Sequence, residues 1–265
     1  MVERLNTRPP KCSGYWYPAS KSQNKFPDRQ ISSAAISPHA GFRISGQVSL
    51  EAVSYVKKHR IWILGTSHYQ VIDKGISIFQ GNYSSSIGKA KFPHIKDKEQ
   101  YKIISKYFSN KGHQTQEHSI ENVLYCINHF REEIKAFCVL VHIENKDDFD
   151  FISDDLCKLW NKEDSLIIST DWNHYVSSNV IGKLMYDVSE LIKRGEIEDL
   201  YRLCKKRKYE ACGIDCLYLA SKILSKVDEN TEFKILKLTD SSRAEDRKKR
   251  NIFPKLCVGY IAARN

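Results

Sequence analysis

The chain has 265 residues, 41% of them hydrophobic and 28% charged, which is long enough to bury a sizeable core and ordinary for a globular protein. Its 42 Lys and Arg against 32 Asp and Glu leave a formal charge of +10. The basic residues are scattered, with short runs only at 205–208 and 247–250 and no aromatic RNA-binding signature, so there is no strong nucleic-acid signal and solvated basic faces are expected.

The first residues, MVERLNTRPPKCSGYWYP, hold no apolar core segment, and nowhere do about 18 apolar residues run together. Neither a secretory signal nor a membrane span is expected. Eight cysteines without an export signal should be thiols in a reducing compartment, which points to the cytoplasm. There is no C-x-x-C pair to support a zinc ribbon.

In chain order, Tyr15, Trp16 and Tyr17 are bulky aromatics expected to dock on the body, and a polar linker follows to Arg29. Residues 31–37 are an apolar run ending at Pro38, read as a buried strand that stops at His39 in a turn holding Gly41 and Gly46. A helix runs from Val48 towards Lys58. A second strand, 61–64, leads through Gly65, Thr66 and Ser67 to His68, and 75–79 is a third. Residues 96–108 form a helix. The clearest amphipathic helix is 117–130, where Ile120, Val123, Leu124, Ile127 and Phe130 fit the 3.6 period and His118 lies near the N-terminus.

The spacing then predicts a strand over 134–142, a helix over 149–160, and a strand over 165–170 that ends in Asp171-Trp172-Asn173-His174. Helices follow over 180–193 and 196–204. Cys212-Gly213 opens another, to about 227, and 233–238 and 256–262 are closing strands. Strands alternating with helices predict one α/β domain over 1–265, with a central, mostly parallel or mixed sheet flanked by helices.

The candidates for chemistry lie at element ends: His39, His68, His118, Asp171, His174 and Cys212. In an open α/β sheet ligands collect beyond the C-terminal ends of strands, and His39, His68 and Asp171-x-x-His174 all follow predicted strands. Imidazole is the commonest neutral metal ligand and thiolate a strong soft one. His59, His94, His113 and His129 lie in polar or helical context and are read as surface residues; His142 also ends a strand and stays open. Cys126, Cys138, Cys157, Cys204, Cys216 and Cys257 are read as small buried apolar residues. At Cys212 a helix N-terminus should lower the thiol pKa. A metal pair with Cys216, four residues on, is the minor alternative.

Seven blocks in order span almost the whole chain: G-x-W-Y-P at 14–18, S-P-H-A-G-F-x-x-S-G at 37–46, I-L-G-T-S-H at 63–68, E-H-S-I-E at 117–121, S-T-D-W-N-H-Y at 169–175, A-C-G at 211–213 and V-G-Y-I-A-A at 258–263. Together they resemble the Memo family. The resemblance implies a fold similar to the extradiol dioxygenases of the protocatechuate type, binding of iron(II) or copper with a proposed redox activity, and roles in cell motility and signalling. It implies His39, His68 and Cys212 as metal ligands, with His118, Asp171 and His174 lining the same pocket. The chain departs from many members at His68-Tyr69, where they have two adjacent histidines, and after Cys212, where it reads Ile214-Asp215-Cys216.

Two functions follow. In a metal-dependent oxidoreductase, His118 or His174 would act as acid or base, with Asp171 orienting His174. In a binding module without turnover, the same pocket would buffer a redox metal or engage a signalling protein or phosphopeptide. A zinc hydrolase needs only a different ion and a bound water, but no H-E-x-x-H or comparable signature supports it.

Overall fold

The computed structural model describes residues 6–23, 26–57, 60–227, 229–243 and 256–265. Lys58, His59 and the basic run at 247–250 lie outside them.

The most apolar segments form the middle of the sheet. Strands β2 (Ala34–Ser37), β3 (Arg60–Thr66), β7 (Glu133–Val141) and β8 (Asp164–Ser169) run parallel in the order β7-β3-β8-β2. Continuous runs such as Ile61–Leu64 and Leu166–Ile168 are what strands covered on both faces require. Alternate residues go to opposite sides. Trp62, Leu64, Phe137, Val139 and Ile168 meet the helices α4 (Asp148–Cys157), α5 (Ser178–Lys193), α6 (Ile197–Lys205) and α7 (Ile214–Lys226). Ile61, Ile63, Ala136, Cys138 and Ile167 meet α1 (Phe42–Val53) and α3 (Glu121–Asn128) on the other face.

The flanks of the sheet are mixed, as the α/β expectation allowed. Strand β11 (Leu256–Arg264) lies antiparallel to β2 and to β10 (Lys234–Asp240), and β4 (Ile76–Ile78) lies antiparallel to β7. Four strands have no counterpart in the sequence reading. These are β1 (Asn6–Arg8), the hairpin β5 (Gly81–Ser85) with β6 (Gly88–Lys91), and β9 (Trp172–Ser177), which pairs with β11. Each is short and rich in small or polar residues, so no apolar alternation announces it. The remaining helix, α2 (Lys98–Ser105), is capped by the Asp97 side chain, which accepts from Gln100 N–H at 2.8 Å.

The helix expected over 117–130 is shorter and buried along its whole length, rather than solvated on one face. Its polar residues are enclosed and bonded. Glu121 meets Arg8, Asn122 Nδ2 donates to the His39 carbonyl at 2.6 Å, and Asn128 Nδ2 donates to the Arg131 carbonyl at 2.8 Å. Two histidines assigned to the surface are also buried. His113 Nε2 lies 3.0 Å from the Ser77 carbonyl, and His129 Nε2 lies 3.3 Å from Ser22 Oγ. Burial lowers His113, in the first place, to about 4, so the ring is neutral at pH 7.

Candidate metal centre

Parallel neighbours end at one edge, so β2, β3 and β8 deliver Pro38-His39, Ser67-His68 and Thr170-Asp171 to a common crevice. The turn before α3 adds His118. Gly65 makes this approach feasible, because a Cβ there would collide with Ser119 and Ile120. His39, His68 and His118 each offer a nitrogen, and the three atoms lie within 4.8 Å of one another. The rings of His68 and His118 stack at 4.4 Å with 13° between planes, and Trp16 stacks on His118 at 3.9 Å and 9°.

Hydrogen bonds fix which nitrogen faces inward. Ser169 Oγ donates to the Ser119 carbonyl at 2.6 Å, so it accepts from His39 Nδ1–H at 2.8 Å and leaves Nε2 with its lone pair. Glu117 does the same for His68. Its Oε1 accepts from Nδ1–H at 2.9 Å and from Ser119 N–H at 2.9 Å, while Oε2 accepts from the His68 backbone N–H at 2.7 Å. His118 Nδ1 is buried without a hydrogen-bond partner.

Burial, followed by the neighbouring His68, holds His39 well below its ordinary value, and burial with His39 and His68 lowers His118 to about 3. Both rings are therefore neutral at pH 7, the state that ligates metal. Burial would raise Glu117, but the side-chain hydrogen bond from His68, together with the backbone N–H groups of Ser119 and His68, outweighs it and brings the carboxyl to about 2. Asp171 is raised by burial, which outweighs the His39 N–H bond to its Oδ1 at 2.9 Å.

Cys212 reaches the same crevice, with Sγ 3.3 Å from His39 Nε2 and accepting from Asp171 N–H at 3.2 Å. Gly213 permits it, since a Cβ there would strike the Ser169 carbonyl. The expected lowering of its thiol pKa is reversed. Burial, and then the Asp171 carboxylate, push it well above the ordinary thiol value, and α7 begins only at Ile214. Cys216 is buried in the apolar core.

The expected Asp171–His174 pairing is also replaced. His174 Nδ1 lies 2.6 Å from Glu210 Oε2, which additionally accepts the His174 backbone N–H at 2.8 Å. Burial would lower His174, but Glu210 raises it. Asn173 and Tyr175 on either side adopt positive φ, 48° and 57°, so the backbone around His174 is held in an uncommon conformation. His142 pairs with Glu144 at 3.5 Å and is not among the three mutually close histidines. Sequence reasoning gave no role to Glu117, Ser169 or Glu210. Glu117 and Ser169 stood inside the quoted blocks, and only their neighbouring ligand candidates drew attention.

Three imidazoles that each offer a nitrogen, one of them His118 with a buried Nδ1 that has no hydrogen-bond partner, and a neighbouring thiol form a donor set that fits a first-row transition-metal ion. All eight cysteines are free, and among the described residues no helix is long and apolar enough to cross a membrane.

The chain is 22% identical over 234 residues to a MEMO1 family protein of Thermoplasma volcanium, covering 83% of this chain and 87% of that one. It is 27% identical over 229 residues to a MEMO1 family protein of Aquifex aeolicus, covering 79% and 83%. A third such protein, from Saccharolobus solfataricus, is 23% identical over 242 residues, covering 86% and 81%. A family model described as Memo-like protein matches residues 8–252, the span that carries every one of the clustered side chains, and the chain belongs to that family.

Proposed function

We propose that this protein binds iron(II) or copper at the histidine cluster and has a redox role there. The carrying observation is the set of three nitrogens within 4.8 Å, with Ser169 and Glu117 occupying the outer nitrogens of His39 and His68. His39, His68 and His118 would hold the ion, with Cys212 beside His39 as a fourth donor. When bound, such an ion supplies one-electron and dioxygen chemistry.

The chain's own part is to position and protect. Ser169 and Glu117 keep two rings in one tautomer, and Trp16 covers a face of His118 against water. His174, whose Nδ1 is engaged by Glu210, is the proton carrier at the more open side, with 26% of its side chain exposed. The free cysteines fit a cytoplasmic address.

A second reading keeps the pocket but not turnover: a module that engages a signalling protein or phosphopeptide, through which roles in motility and signalling would follow. Its support is the exposure of Tyr15 (96%), Tyr69 (51%) and Tyr175 (77%), each adjacent in sequence to Trp16, His68 or His174. Metal analysis of protein purified without oxygen, alongside His39→Ala, tests the first reading. Metal is expected in the wild type and lost in the variant; a wild type that takes up neither iron(II) nor copper would overturn it. Oxygen uptake with a catechol or a reducing agent separates turnover from binding.

A further inference from the structure

Glu117 is fully buried, yet its carboxylate makes no hydrogen bond with a lysine or arginine side chain among the described residues. Arg8 Nη2 donates to the Glu117 carbonyl at 3.2 Å and turns its charge to Glu121 instead. The histidine nitrogens nearest its carboxylate are His68 Nδ1 at 2.9 Å and His118 Nδ1 at 3.9 Å. Asp171 is in the same position, with Oδ2 3.9 Å from His39 Nε2. Two buried carboxylates thus face a cluster of three imidazoles, with no hydrogen bond from a lysine or arginine side chain to either among the described residues. A buried charge is retained when something of opposite sign answers it.

Resting on the metal-binding reading above, we propose that Glu117 is a positioning residue for that centre. It holds His68 in the tautomer that directs Nε2 inward, and with Asp171 it supplies the charge that makes the site select a divalent over a monovalent ion. Iron(II) is then favoured over copper(I), against the pull of the Cys212 sulfur. Both carboxylate oxygens are needed, because Oε1 and Oε2 each accept an N–H of His68. An amide cannot replace them, since its NH₂ would confront one of those donors.

Anaerobic titration of wild type and Glu117→Gln with iron(II) and, separately, with copper(I) tests this. The variant should lose about 10–100-fold in iron(II) affinity, the usual cost of removing a ligand's hydrogen-bond partner, and distinctly less in copper(I) affinity. Unchanged iron(II) affinity overturns the proposal, and equal losses for both ions overturn its charge selection. Should the variant fail to fold, ¹⁵N spectra of histidine-labelled, metal-free wild type read the tautomer directly. His68 should carry its proton on Nδ1, and the opposite tautomer overturns the positioning role. Wild type that binds neither ion refutes the metal-binding reading instead, and the tautomer result stands apart from that failure.

Discussion

Ser169 shows how much one hydroxyl decides at the residue scale. Its proton goes to the Ser119 carbonyl, so its lone pairs can only accept, and His39 must present Nδ1–H to it. Ser169→Ala removes that acceptor and strips a buried carbonyl of its donor. Metal affinity should fall by roughly tenfold or more, and urea unfolding should show a loss of about 1–3 kcal/mol. Affinity equal to wild type would show that the His39 ring is held by packing alone. His39 and His68 could be read from sequence because an apolar run stops just before each. The Cys212 thiol could not: the reading weighed a helix end, worth about 0.3–1 kcal/mol, while enclosure beside Asp171 acts in the opposite sense. Burial next to a carboxylate 41 residues away leaves no local trace in the chain.

At the scale of elements, Arg8, Cys12 and Tyr17 are buried against α3 and tie residues 8–17 to it. The Arg8 guanidinium pairs with Glu121 and donates to the carbonyls of His113, Thr115 and Glu117, the turn that carries His118. Glu121 in turn accepts from Lys11 N–H at 2.9 Å, Cys12 N–H at 2.8 Å and Tyr17 O–H at 2.6 Å. This fastens the segment from which Trp16 reaches His118. Arg8→Met should destabilise the protein by roughly 3–5 kcal/mol, because it leaves the Glu121 charge buried and unanswered; denaturant unfolding measures this. A change below about 1 kcal/mol would show that the Arg8–Glu121 pair does not hold this segment. The 3.6 period located α3, since Val123, Leu124 and Ile127 do point inward. The enclosure of its polar stripe is not legible in sequence, because polar residues look the same whether the partner is water or an arginine more than 100 residues away.

Over the whole molecule, the parallel register of β3, β8 and β2 converts three distant loops into one crevice. That much followed from apolar runs stopping at His39, His68 and Asp171. The hairpin strands β5 and β6 put only Tyr83 and Ala90 into the core and otherwise rest on pairing, so their sequence carries no run of apolar residues to announce them. The central claim is that an ion in this crevice sits on imidazole nitrogen. X-ray absorption of the anaerobically iron(II)-loaded protein addresses it most directly. The expected spectrum has a nitrogen-containing first shell with the outer-shell scattering of imidazole rings, diminished in His39→Ala. A first shell of oxygen atoms with no imidazole scattering, the same in both proteins, would contradict it.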